Sequence, residues 1–477
     1  MGLKTFTIDF QNIGKERTFR YDVDFADFQN NFLLEKAYSF NDLFEFQKNN
    51  KVDIENLDDD FLYSEIGNVS KEGEVEPVKL NFNERKKGEE NYYKKIEKGN
   101  IIQAEENEIL LSKVRPNLKK YVLIDNANAK YFYTSAFIHL KPKKLNKILY
   151  YSLRTIFYEN LIAISRQGKG YPTLKEDDFL YLKFDKDVID KFLNKQDQII
   201  AQIEPIEKKI KELKAQITPP QEVINKVFAR EFGFDLEKVN KIERVRYFSI
   251  NTDISYRNFN LRSSVRWNKI KPIQEILYKG NPYIEKLGNY ILSTKNGWSP
   301  NCKETDTKNA VFGVNSISKD GYIKIENLKY SDELRNDIKN YFVKENDLFV
   351  SRGNTTDLVA LASIVKDLPE EQDYIFPDLF IRIELNTKYL NKEYLALLFN
   401  SIIGRFYFKY SAKGKNQTMV KISSEELDNF YLPVPVIEVQ QKIVDEIKAE
   451  LDKQEKIKKK IESERRKIDE IIEKAAK

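Results

Sequence analysis

Four short stretches of this chain combine side chains that hold phosphates with side chains that read hydrogen-bonding edges. Ser112-Lys113-Val114-Arg115-Pro116-Asn117-Leu118-Lys119-Lys120 and Ser165-Arg166-Gln167-Gly168-Lys169-Gly170-Tyr171 lie in the first half. Ser351-Arg352-Gly353-Asn354-Thr355-Thr356 and Ser411-Ala412-Lys413-Gly414-Lys415-Asn416-Gln417-Thr418 lie in the second. Lysine, arginine and backbone amides neutralise phosphate oxygens, whereas Arg, Asn and Gln offer paired hydrogen bonds to the edge of a base. Glycine lets the main chain approach a ligand closely. The candidate contact residues are therefore Lys113, Arg115, Asn117, Lys119, Lys120, Arg166, Gln167 and Lys169, then Arg352, Asn354, Thr355, Lys413, Lys415, Asn416 and Gln417. A single basic loop is ordinarily solvated surface. Two such loops recurring in the same order carry more weight.

Other chemistry is poorly supplied. One histidine, His139, and one cysteine, Cys302, exclude a multi-cysteine metal site and the usual zinc ligand sets. They also leave little for nucleophilic or imidazole catalysis. There is no phosphate-loop, dinucleotide-turn or nucleophile-elbow pattern. Asn281-Pro282-Tyr283 superficially resembles the Asn-Pro-Pro-Tyr motif of amino-methyltransferases, but it lacks the second proline and a glycine-rich turn upstream. His139, within Phe137-Ile138-His139-Leu140, reads as a structural strand residue, and no catalytic or metal residue is expected.

The loops sit in a chain that repeats itself. Val69-Ser70-Lys71-Glu72-Gly73 returns as Ile317-Ser318-Lys319-Asp320-Gly321, a shift of 317 − 69 = 248. Glu106 to Lys113 returns as Glu345 to Arg352, a shift of 345 − 106 = 239, and Ser165 to Lys169 as Ser411 to Lys415, a shift of 411 − 165 = 246. A near-constant shift of this length means two copies of a whole domain rather than a solenoid. Strand-like runs are expected over 61–66, 109–114, 132–140, 347–351 and 379–383, with helices over 147–165 and 392–410. Each copy then ends in a long charged helix. Ile199, Ile203, Ile206, Ile210, Leu213 and Ile217 step by four and three, a seam that packs against another helix. Ile447, Ile461 and Ile468 form a second seam, with Ile443, Ile457 and Ile471 beside it and Glu450, Gln454 and Glu464 interrupting it. Pro205 is expected to kink the first helix or mark its start, and Pro219-Pro220 to end it.

Composition bounds the rest. The chain has 477 residues, 41% of them hydrophobic, and 80 basic against 75 acidic side chains give a net charge of +5. That balance permits a nucleic-acid partner without requiring one. No apolar run approaches the roughly 18 residues of a membrane span. The first residues lack an apolar signal core, so a cytoplasmic location is expected.

Residues 108–116 with their echo at 347–353, Lys286-Leu287-Gly288-Asn289-Tyr290, and Leu432-Pro433-Val434-Pro435-Val436-Ile437-Glu438-Val439-Gln440-Gln441-Lys442-Ile443-Val444 carry a family resemblance. The chain resembles the DNA-sequence specificity (S) subunits of type I restriction–modification systems. The resemblance implies an α/β (α+β) fold with two tandem target recognition domains, joined by two long antiparallel coiled-coil helices in a pseudo-twofold repeat. It implies domains at 1–194 and 245–436, spacer helices at 195–218 and 437–477, and a bridging segment at 219–244. It further implies a non-catalytic subunit that reads a split double-stranded DNA site and docks methyltransferase subunits, two in number, and restriction or translocase subunits. The isoleucines of these two seams, with Leu213, would form the coil. S-adenosylmethionine, ATP and magnesium would belong to those partners, and this chain would bind no cofactor. Two other classes remain open from the residues alone. A fused restriction or modification enzyme with a cryptic site would turn over substrate by itself, and a coiled-coil scaffold would bind proteins rather than DNA.

Overall fold

The computed structural model describes Phe25 and residues 36–48, 60–83, 90–99, 101–167, 171–244, 268–303, 307–326, 328–416 and 419–477. The chain is mixed α/β and divides into two compact units: Met1–Ala215 with Lys459–Lys477, and Gln216–Lys458.

In the first unit, the run Ile109–Ser112 is entirely buried and forms the inner strand of an antiparallel sheet, ordered Phe44–Phe46, Phe137–Pro142, Ile109–Ser112, Tyr121–Leu123. A second sheet is ordered Val78–Asn81, Asp60–Ser64, Phe132–Thr134, Ile101–Gln103, with one parallel pair, Tyr63 beside Phe132. The expected strand 132–140 is two strands that serve different sheets, because Ser135 and Ala136 turn the chain between them.

The second unit follows the same plan. Leu348–Ser351 is buried throughout and lies between Phe380–Leu385 and Ala362–Ile364, with Ile291–Asn296 at the edge. Asn309–Val311 pairs in parallel with Asp373–Ile375, as Asp60–Ser64 does with Phe132–Thr134. Both units place a left-handed asparagine before the inner strand, Asn107 at φ 70° and Asn346 at φ 64°. This is the residue type that tolerates this conformation best after glycine.

Each expected helix after the sheets is broken in two. Asn146–Arg154 is followed by Tyr158–Ala163, and Lys392–Asn400 by Ile402–Ser411. In the second unit Ser401 starts the new helix, its hydroxyl accepting from the Ile403 amide.

The first long helix runs Lys186–Lys214, starting 195 − 186 = 9 residues before the expected point. Asp185 caps it by accepting from the Asp187 and Val188 amides. Pro205 lies inside the helix; proline removes one amide donor there, and Ile203, Ile210 and Leu213 around it are buried. The helix stops before Pro219-Pro220 rather than at it, and Pro220 opens the next helix, Pro220–Phe232, where a missing amide costs nothing. Ile224, Val227 and Phe228 of that helix lie in the main core of the second unit, and Val223 is buried beside them in sequence.

The last helix runs Ile437–Ala476. Ile443 and Ile447 are buried in the second unit's core, and Ile461 and Ile468 are buried in the first unit. Ile206, Ile217, Ile457 and Ile471 are half-buried, and Ile472 is the fully buried member of the final turn. The polar interruptions have partners. Lys209 Nζ meets Glu464 at 2.7 Å, and Gln454 accepts from the Thr218 amide at 2.8 Å. Lys191 Nζ donates to the Lys477 carbonyl at 2.8 Å, so along the first unit's two helical segments the contacts run in opposite senses.

Candidate nucleic-acid interface

The fold brings the two basic loops of each half together. In the second unit, Gly353–Asn354 pairs with Met419–Lys421, which pairs with Lys413–Asn416. In the first, Arg166–Gln167 pairs with Pro172–Thr173. Pro172 accepts from the Arg115 amide at 2.8 Å, and the Leu174 amide donates to the Lys113 carbonyl at 2.9 Å. One small three-stranded arrangement therefore carries both loops in each unit, although about 50 to 60 residues separate them: 166 − 113 = 53 and 413 − 352 = 61.

The candidate cations differ in what they touch. Lys113 Nζ donates to the Ser135 carbonyl at 3.0 Å, and Lys120 Nζ to the Ile66 carbonyl at 3.0 Å. Lys119 Nζ donates to the Arg154 carbonyl at 2.9 Å and lies over the Tyr158 ring. Burial, and then the charge of Arg154, hold its ammonium below the usual lysine range. Arg166 is paired with Asp178, and Lys413 with Glu425 and Glu426. Two arginines stand apart from these. Arg115 is exposed, with its guanidinium over the Tyr171 ring at 5.1 Å. Among the described residues, the Arg352 side chain makes a single long hydrogen bond, 3.5 Å, to the Asp378 carbonyl. Neither has a carboxylate partner among the described residues. Asn117 is exposed, Asn354 is half-buried with its Oδ1 accepting from the Thr355 amide, and Thr355 is exposed. Lys169 and Gln417 lie outside the described residues, as do the side chains of Gln167, Lys415 and Asn416.

Several supporting residues carried no sequence motif. Arg405 is 8% exposed and donates to the carbonyls of Asp357 and Val359 at 3.1 and 2.6 Å, which fixes the loop after Arg352. Burial pulls its guanidinium down to about 10. In the first unit the Tyr158 hydroxyl donates to the Asn117 carbonyl at 3.0 Å in the corresponding loop. His139 Nε2 lies 2.6 Å from Glu108 Oε2, and Arg382 Nη1 lies 3.2 Å from Asp347 Oδ2. Each acid also caps the turn before its strand, accepting from the amides of Glu105 and Lys344. His139 is thus a structural partner to an acid. A cleft of about 1140 Å³ in the first unit is lined by Lys147, Lys214 and Arg465 among others, but Glu207 and Glu74 pair with these cations.

Residues 268–465 match the family of the type I restriction modification DNA specificity domain. The match covers 465 − 268 + 1 = 198 of the 477 residues, nearly all within the second unit. The resemblance to type I specificity subunits agrees with this match. No curated protein matches the chain in sequence. Among solved structures it is similar to one from a study of complex assembly and conformational transition of the type I R-M system, at 12% identity and TM-score 0.35, covering 93% of this chain and 97% of that one. It is also similar to the HsdS subunit from Thermoanaerobacter tengcongensis, at 12% identity and TM-score 0.28 over 92% and 96% of the two chains. A third is the Type-I restriction-modification system S subunit from M. genitalium, at 13% identity and TM-score 0.37 over 92% and 95%. Among the described residues, no helix is long and apolar enough to cross a membrane, and no group of His, Cys, Asp or Glu could hold a metal ion.

Proposed function

We propose that this chain is the non-catalytic subunit that reads a bipartite double-stranded DNA target, one half-site per unit, for a type I restriction–modification complex. The observation that carries this reading is the pairing of exposed chemistry with repeated topology. Each unit gathers two basic loops on one small sheet, and each leaves an arginine there, Arg115 and Arg352, without a carboxylate partner among the described residues. Arginine with two parallel donors is the commonest reader of guanine in the major groove. The neighbouring side chains differ between units, so the two half-sites differ in sequence.

In this reading the helices Lys186–Lys214 and Ile437–Ala476 pair as an antiparallel coil that sets the spacer between half-sites and docks the methyltransferase and restriction subunits. Those partners hold S-adenosylmethionine, ATP and magnesium, and the complex works in the cytoplasm. The test is selection of the full chain on a pool of random-sequence duplex DNA. Enrichment of two unlike half-sites at a fixed spacing supports the reading. A palindromic motif, no enrichment, or S-adenosylmethionine turnover by the pure chain overturns it.

A further inference from the structure

Each unit places a buried carboxylate behind its hairpin. In the first, Arg166 Nε donates to Asp178 Oδ1 at 2.8 Å, and Asp178 is fully buried. Its other oxygen accepts from the Lys175 amide at 2.8 Å. In the second, Lys413 Nζ stands 2.8 Å from Glu426 Oε1, and Glu426 Oε2 accepts from the amide and hydroxyl of Ser423 at 2.9 and 2.5 Å. The shifts 413 − 166 = 247 and 426 − 178 = 248 put cation and acid at equivalent places in the repeat. The cation type changes together with the acid type, so a strand-to-turn link survives in both. Burial works against the charge on Glu426, yet Lys413 and Ser423 hold its carboxyl below the ordinary range.

We infer that Arg166 and Lys413 are positioning residues: each pins the strand entering its hairpin to the capped turn leaving it, and neither donates to DNA. A cation that left for a phosphate would strand a buried carboxylate, which is the costly way to break such a pair. The inference rests on the DNA-reading role proposed above, and it leaves that role to Arg115 and Arg352 and to the loop backbones.

The test uses the full chain with Lys413→Gln, Glu426→Gln and Lys413→Arg. It combines selection on random duplex DNA, salt titration of binding, and amide hydrogen exchange over residues 419–423. Lys413→Gln and Glu426→Gln should behave alike. Both should blur the second half-site only, leave the salt slope unchanged, and speed exchange by up to about fivefold, the scale of a half-exposed ion pair. Lys413→Arg should restore both readouts. The inference fails if Glu426→Gln keeps the motif or tightens binding while Lys413→Gln lowers the salt slope by about 0.9, the mark of a lost phosphate contact. It also fails if exchange is unchanged in both glutamine variants. A wild-type chain that enriches no sequence sinks the DNA reading instead, and the exchange measurement still decides the clamp.

Discussion

The first unit holds the acid before its inner strand with a histidine, Glu108 against His139, where the second uses Asp347 against Arg382. The hairpin clamp is Arg166 with Asp178 in one and Lys413 with Glu426 in the other. The loop after the strand is tied by the Tyr158 hydroxyl in one and by the buried Arg405 in the other. At the end of the following helix, Arg154 donates to the carbonyls of Lys119 and Lys71, while Asn400 donates to those of Ala362 and Ser318. Backbone path and strand order are shared, but nearly every polar tie is rewritten. The apolar alternation and the special turns carry the topology, including Gly73 at φ 85° and Gly321 at φ 91°. The polar ties need only the right reach and a satisfied partner. Such freedom lets two copies keep one scaffold while their exposed loops diverge.

The sharpest break in this comparison is expected at Arg405. Arg405→Met leaves the buried Val359 carbonyl and the part-buried Asp357 carbonyl without their donor, and urea unfolding should show the second unit weakened by about 2–4 kcal/mol. The matching change in the first unit, Tyr158→Phe, should cost only about 0.5–1 kcal/mol, because that hydrogen bond lies at the surface. Equal losses would mean the two loops are held alike. The hairpin clamps come next. Arg166→Gln exposes the need of a fully buried acid and should cost about 1.5–3 kcal/mol. Lys413→Gln, with its lysine half exposed, should cost at most about 1 kcal/mol in the same assay.

Binding should divide the units cleanly. Arg352→Ala should weaken selection by about 1–3 kcal/mol at one position of one half-site, and Arg115→Ala at one position of the other. An even loss across all sequences with a shallower salt dependence would instead make Arg352 a phosphate contact. The smallest effect is with pH. The Glu426 carboxyl is held low in the folded chain, so its contribution is present above the ordinary glutamate value of about 4.3 and is lost as pH falls through the folded value. The stability gap between wild type and Glu426→Gln should therefore narrow on acidification below about pH 4. A gap that widens there would reverse the sign assigned to this pair.

Much of this was legible in the sequence. The duplicated words located the inner strands, the turns before them and the two loop pairs, because strand alternation and turn chemistry are local properties. The capping pattern Ser423-Ser424-Glu425-Glu426 was also there to be read, and it marks the acid that holds Lys413. What local pattern could not supply was pairing at a distance. The breaks in the two helices, the passage of Lys186–Lys214 through Pro205, and the choice of Ile472 over Ile471 depend on which face meets a core. The partners of the basic residues were likewise set by tertiary contacts. Lys113, Lys119, Lys120, Arg166 and Lys413 look alike in sequence to Arg115 and Arg352, yet the first five are already spent on carbonyls and carboxylates. A charge advertises itself in sequence. Whether it is available depends on the acceptors that folding brings within about 3 Å of it, and those come from residues tens of positions away.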